Sequence, residues 1–124
     1  MAPHSTADNL VFRLGEGRGS RPVSFAGLWV DPCDAFRETP GQFPPDARSA
    51  WILEAVIGEA PRISTVHYGQ DPQGYRSRFP ARPLDRPGCY IATISGTGAT
   101  GFEVDAQGQL KEIPEEERRA RSLP

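Results

Sequence analysis

The sequence predicts an all-β protein, an antiparallel sandwich of seven or eight strands. Three observations predict this fold class: short runs of alternating apolar residues recur along the chain, Gly- and Pro-rich turn signals separate them, and no amphipathic helix of useful length is present. The 124 residues include 13 Gly and 13 Pro, about a fifth of the chain, which excludes a helical bundle. A single domain of this length can bury a core of its own.

The first two strands are separated by a glycine-rich turn. Residues 10–14 alternate apolar and polar side chains, which predicts a strand with one buried face. Residues 22–30 are apolar on both faces, which is typical of a central strand. Residues 31–49 hold four Pro residues and show neither the apolar period of a strand nor that of a helix, so they are predicted as a long loop. Loops of this length are uncommon in compact domains and usually have a function.

The later strands are predicted where β-branched and aromatic residues alternate between turn signals. They are residues 51–57, 62–68, 75–79 and 89–95, and a last hairpin of residues 102–104 and 109–110. The predicted core is drawn from Phe12, Leu14, Phe25, Trp29, Trp51, Leu53, Ile57, Val66, Tyr90, Ile94 and Val104.

The chain is predicted to hold one β-sandwich domain at residues 9–113. Residues 1–8 are expected to be a flexible N-terminal segment. Residues 114–124 are expected to be a charged, mobile tail, because their Glu and Arg side chains leave almost no apolar stripe to bury.

The charge balance limits the partners that the chain can attract. Fourteen basic and sixteen acidic residues give a formal net charge of −2, which excludes steering to nucleic acid or anionic lipid by net charge. No apolar run is long enough to span a membrane, and the first ten residues lack the regions of a signal peptide. The β architecture and a candidate cysteine pair favour an extracytoplasmic location, periplasmic or secreted, with the cytoplasm as the alternative.

One stretch of the chain resembles a known family. Residues 84–94 read Leu-Asp-Arg-Pro-Gly-Cys-Tyr-Ile-Ala-Thr-Ile. This stretch resembles the strand E to F crossing of fibronectin type III and immunoglobulin-like domains, which has an apolar residue, a Pro-Gly pair and a Tyr six positions after the apolar residue. Here the Pro-Gly pair is shifted by one residue from the usual fibronectin pattern. The resemblance implies that the Tyr90 hydroxyl caps backbone across the corner, with Leu84 as a buried anchor and Trp29 or Trp51 packed beneath. The chain is also similar to small β-sandwich domains of unknown function in bacterial envelope proteins.

Cys33 and Cys89 are the only thiols, too few to build a zinc or iron-sulfur site from cysteine alone. A disulfide between them would contribute roughly 4 kcal/mol if unstrained and would tie the 31–49 loop to the sheet. Two reduced, buried thiols are the alternative. The sequence leaves both open because it does not give the separation of the two Cα atoms.

No cofactor or metal site is predicted. Residues 96–101 read Gly-Thr-Gly-Ala-Thr-Gly after a strand and resemble the dinucleotide loop of short-chain dehydrogenases. A dinucleotide site needs a helix after this loop, but the turn signal at residues 105–108 breaks any helix there. A glycine-rich connection between strands is therefore predicted.

The sequence offers little for catalysis, and we predict no enzyme. His4 and His67 are the only histidines and lack the spacing of a copper site. A small hydrolase would need His67 gathered with a carboxylate and with a nucleophile such as Cys33 or Ser95. A glycoside hydrolase would need paired carboxylates, which Glu54 and Glu103 would supply if they faced one another.

The clearest candidate surface lies around residues 75–86, where four Arg and one Asp give a local charge of +3 with aromatic residues between them. Such a surface suits an acidic polysaccharide, a phosphate-bearing partner or a single nucleic-acid strand. The alternative is an edge strand that arginine protects against pairing. The candidate residues are Tyr68, Tyr75, Arg76, Arg78, Phe79, Arg82 and Arg86.

Three classes of function remain. The first is a non-catalytic interaction or adhesion module of the bacterial cell envelope, which contacts a protein or glycan through residues 31–49 or 75–86. The second is a carbohydrate-binding or small-ligand-binding domain that presents exposed aromatic side chains. The third is a small hydrolase. The lack of a catalytic cluster in the sequence favours the first.

Overall fold

The computed structural model describes residues 5–14, 22–96 and 98–124. They form eight strands and two short α-helices, which confirms the all-β prediction. The strands are β1 (Val11–Arg13), β2 (Gly27–Pro32), β3 (Trp51–Ala55), β4 (Thr65–His67), β5 (Tyr75–Ser77), β6 (Gly88–Ile94), β7 (Gly98–Val104) and β8 (Leu110–Ile113). The helices are α1 (Cys33–Glu38) and α2 (Glu115–Ala120), and a 3-10 turn spans Asp46–Arg48.

The strands form two antiparallel sheets. The large sheet has the order β5-β3-β2-β6-β7-β8, and β1 pairs with β4 in a small sheet. The small sheet packs on the large one, with the Phe12 and Phe102 ring centroids 6.2 Å apart. This division into six and two strands differs from the four and three of constant-type immunoglobulin domains, so the immunoglobulin-like assignment stays a prediction.

The large sheet is covered on both faces. Along β6, Tyr90 and Ala92 join the main core beneath the small sheet. Ile91 points to the opposite face, because successive residues of a strand alternate. There it belongs to a second cluster with Cys33 and Phe36 of α1 and with Leu123. The helical segments therefore lie on the face that the small sheet leaves uncovered.

The corner implied by the family resemblance has the expected contact. The Tyr90 hydroxyl accepts a hydrogen bond from the backbone N–H of Asp85 at 2.7 Å. Leu84 is buried beside it, and Trp51 is fully buried in the same core. Trp29, the other predicted aromatic, lies on the opposite face and is only half-buried.

Most of the predicted core is buried, and the differences have local causes. Ile57 was predicted in the core and is instead fully exposed, at 100%. The reason is that β3 ends at Ala55, two residues before the predicted end, and a turn with Gly58 at φ 82° follows. Ile94 and Trp29 are half-buried on opposite faces of the sheet, Ile94 at the margin of the main core and Trp29 on the other face.

The predicted strand at residues 22–30 begins later and ends later than expected. Val23 makes only an isolated bridge to Ile63, and β2 starts at Gly27 and continues to Pro32. The 31–49 connection is long, as predicted, but it is not irregular throughout, since α1 occupies its first part. A six-residue helix is too short to show a clear apolar period.

The described residues near both ends of the chain contact the rest of the domain. Residues 1–4 of the predicted flexible segment lie outside the described residues, and Thr6 bridges Asn9 and Gln109. The tail at residues 114–124 was predicted to be mobile, whereas the structure places α2 against β7 and buries Leu123 in the second cluster. The apolar side chain of Leu123 provides this packing, which the charged composition of the tail does not indicate. Neither described helix has the length and apolar character needed to cross a membrane.

Candidate functional site

The 31–49 segment is closed at its base by two buried side chains. Ser49 donates a hydrogen bond to Oδ1 of Asp31, and each residue is 1% exposed. The other carboxyl oxygen of Asp31 is buried with no hydrogen-bond partner in the described part of the chain. Burial raises the pKa of Asp31, the Ser49 hydrogen bond opposes this, and the charge of Asp46 adds to it.

A disulfide fixes the start of the segment. Cys33, the first residue of α1, is bonded to Cys89 of β6, with the Cα atoms 5.3 Å apart. The two cysteines that the sequence left as a candidate pair are bonded in the structure. Further along, the ring of Phe43 packs edge-on against Phe36 of α1, with centroids 6.2 Å apart. The helix thereby holds the middle of the segment.

Arginine side chains fix the rest of the segment. Arg48 donates two hydrogen bonds to Glu38, at 3.0 and 2.9 Å. Arg78 of the neighbouring chain stretch binds both Asp46 and Glu54. These pairs are partly exposed, so each contributes little alone. Together with the buried base and the disulfide, they restrain the segment along its whole length.

A groove of about 620 Å³ opens between this segment and the large sheet. Trp29 lies at its base with its ring against Gly27, where an added Cβ would come within 2.6 Å of the indole. Phe43 and Pro44 form one side. The full lining is Trp29, Phe43, Pro44, Asp46, Thr93, Ile94, Ser95, Gly96 and Gly98. We call this the Trp29 groove.

A second groove, of about 680 Å³, lies on the other side of Phe43. It runs between residues 36–43 and the C-terminal residues 122–124. Phe43 lines both grooves and is 63% exposed. An exposed aromatic side chain therefore forms the ridge between two concave surfaces.

The aromatic residues of the predicted binding surface are engaged in internal packing. Tyr75 is buried and stacks on Phe25, with centroids 4.6 Å apart. The Tyr68 hydroxyl donates to the carbonyl of Arg82 at 2.6 Å. The ring of Phe79 is covered by the Arg82 guanidinium at 5.1 Å. Tyr75 and Tyr68 therefore pack against the main core, whereas Phe79 is half-buried beneath an arginine.

The arginines of that surface are largely paired. Arg78 binds two carboxylates, and Arg86 binds Asp8. Arg76 is exposed on β5, opposite Glu54. Since β5 lies at one edge of the large sheet, this arrangement fits the protection of an edge strand. Binding of an anionic partner here stays a prediction.

The catalytic candidates do not come together. His67 is exposed on β4 opposite Val11, and the Cys33 sulfur is in a disulfide. Glu54 on β3 and Glu103 on β7 are separated by β2 and β6, roughly 14 Å at strand spacing, beyond the 5–9.5 Å of glycosidase pairs.

The glycine motif and the acidic residues show no cofactor geometry among the described residues. The residues after Gly96 enter β7 rather than a helix. No group of three His, Cys, Asp or Glu side chains in the described ranges is arranged to hold a metal ion.

No protein-family model, curated protein or solved structure is significantly similar to the chain.

Proposed function

We propose that the chain is a non-catalytic interaction domain that contacts a protein partner through the 31–49 segment. The observation that carries this proposal is the exposure of Phe43 on a restrained segment. Aromatic side chains near the centre of an interface supply much of its binding energy. Phe43 is 63% exposed between two grooves and would be the central aromatic side chain of such an interface.

The restraint of the segment supports the same function. Binding costs conformational entropy when a loop must be ordered, and a loop fixed in advance avoids much of this cost. Here the Asp31–Ser49 hydrogen bond, the Cys33–Cys89 bond and the Phe36–Phe43 contact hold the segment in place.

The compartment that suits this proposal is the bacterial cell envelope or the exterior. Disulfides persist in oxidising compartments and are rare in the cytosol. The bond between Cys33 and Cys89 supports an extracytoplasmic location on this ground. A domain with such a bond would keep its contact segment ordered where it meets its partner.

Site-specific photocrosslinking tests the proposal. Phe43 is replaced by p-benzoylphenylalanine in the tagged full chain, which is produced in the cells that naturally contain it and irradiated. We expect a discrete protein adduct that disappears when untagged chain is present in excess. The matched control is the same replacement at Ile57, which is fully exposed but lines neither groove. Absence of an adduct at position 43, or the same adducts at both positions, would overturn the proposal.

A further inference from the structure

We infer that the Trp29 groove is a binding site for a small, largely apolar molecule that carries no negative charge. This goes beyond the proposed protein contact and does not require it. The groove volume of about 620 Å³ lies within the range of small-molecule sites, roughly 300–1,000 Å³. Its lining combines two aromatic rings, a proline and an isoleucine with a few polar groups, which is the usual composition of such sites.

The shape of the groove follows from its glycines. Three atoms of the Trp29 six-membered ring lie within 3.2 Å of the position of a Cβ on Gly27, so the ring rests directly on the strand. The opposite side of the indole is then free to face the groove. At the far end, Gly96 and Gly98 have open space where side chains would stand. A flat molecule can therefore lie on the indole.

The charges around the groove favour an uncharged molecule over an anion. Asp46 is the charged residue among its described lining, and its carboxylate is held by Arg78. Arg78 also binds Glu54, so the guanidinium has two acidic partners. The guanidinium and its two carboxylates together carry a charge of −1, so an anionic ligand would lose its hydration without gaining an unpaired positive charge. An uncharged ligand would not incur that cost.

The groove also exists before a ligand enters. Its outer side is formed by Phe43 and Pro44, which belong to the restrained 31–49 segment, and Pro44 is buried. Its base is formed by β2 and β6, the two central strands of the large sheet. An apolar ligand entering a preformed groove pays little for ordering the protein.

Binding is tested with N-phenyl-1-naphthylamine, an uncharged aromatic probe that becomes fluorescent in apolar surroundings. We expect saturable binding to the full chain with one probe per protein. Phe43→Ser should weaken binding about tenfold or more, and Trp29→Ala should do the same. Because Phe43 is exposed, its variant keeps the fold even if Trp29→Ala does not. The control Ile57→Ser removes an exposed apolar side chain outside the groove and should leave the affinity within about twofold.

A second probe tests the charge argument. The anionic 8-anilinonaphthalene-1-sulfonate has a similar aromatic framework, and we expect it to bind about tenfold more weakly. Equal binding of both probes, unsaturable binding or no effect of Phe43→Ser would overturn the ligand site. Quenching of tryptophan fluorescence by a neutral oligosaccharide without binding of the apolar probe would overturn it in favour of a glycan site. The crosslinking at position 43 uses no probe, so the two proposals can fail independently.

Discussion

Ser49 donates a hydrogen bond to the carboxyl group of Asp31, and this pair joins the two ends of the 31–49 segment in the protein interior. The segment leaves the sheet at Asp31, the next-to-last residue of β2, and returns at Ser49, two residues before β3. The second carboxyl oxygen has no hydrogen-bond partner among the described residues. A carboxyl group that is buried with only one oxygen hydrogen-bonded holds its proton more tightly than a carboxyl group in water. The stability of the protein therefore depends on pH through this contact.

Relative to the wild type, the Asp31→Asn variant should become more stable as the pH rises. Burial raises the pKa of Asp31, so the folded state binds the proton more tightly than the unfolded state. The resulting stabilisation is fully present below about pH 4 and is lost as the pH rises through the folded-state value. Asn cannot ionise, and the variant should lack this loss. Urea unfolding from pH 4 to 8 measures the difference, with exposed Asp34→Asn as control. Parallel stability curves for Asp31→Asn and the wild type would contradict the expectation.

Replacing both cysteines by Ala should lower the free energy of unfolding by about 4 kcal/mol. The bond closes a long loop, with Cys33 and Cys89 separated by 56 positions, and cross-linking removes entropy from the unfolded chain. Urea unfolding with and without reductant measures the effect. Reductant should destabilise the wild type and leave the double variant unchanged. Intact mass after alkylation tests the bond itself, and two alkylated thiols without reductant would show that it is absent in solution.

The fold class was predictable because alternation of apolar residues follows directly from strand geometry. The family resemblance also implied that the Tyr90 hydroxyl contacts the backbone, and the partner in the structure is Asp85, which is near Tyr90 in sequence. The end of β3 was not predictable from the pattern. Ile57 continues the alternation, but β3 ends at Ala55 and Ile57 itself lies in the turn with Gly58.

The candidate site was less predictable, because its residues meet only in the folded chain. The sequence shows only that Phe43 lies between Gln and Pro in the 31–49 connection. Its contact with Phe36 and the two grooves beside it form only when the chain folds. The arginine-rich stretch gave a stronger sequence signal, yet Arg78 is neutralised by Asp46 and Glu54 from distant positions. Local charge counts cannot show such pairing.

Leu123→Ala should release the C-terminal tail from the sheet. Leu123 is 5% exposed and packs with Phe36 and Ile91, and it is the buried apolar side chain that anchors this segment. Its loss removes apolar burial without disturbing the main core. Amide hydrogen exchange of α2 should accelerate at least tenfold while exchange in β6 changes little. Glu116→Ala, at an exposed position of α2, serves as the control. Exchange of α2 in the wild type as fast as in a free peptide would support the mobile tail that the sequence predicts.

Gly27→Ala should destabilise the protein by displacing Trp29 rather than by straining the strand. The added Cβ would lie 2.6 Å from Cη2 and 2.8 Å from Cζ3 of the indole, closer than carbon atoms can approach. Such overpacking costs about 1–3 kcal/mol. In a Trp29→Ala background the obstructing ring is absent, so the same substitution should cost little. Urea unfolding of the four proteins measures this coupling, and the emission maximum of Gly27→Ala should shift to longer wavelength as the indole moves toward water. An equal cost in both backgrounds would show that Gly27→Ala acts by straining the backbone and not by displacing Trp29. It would then contradict the conclusion that the Trp29 ring rests on Gly27 at the base of the groove.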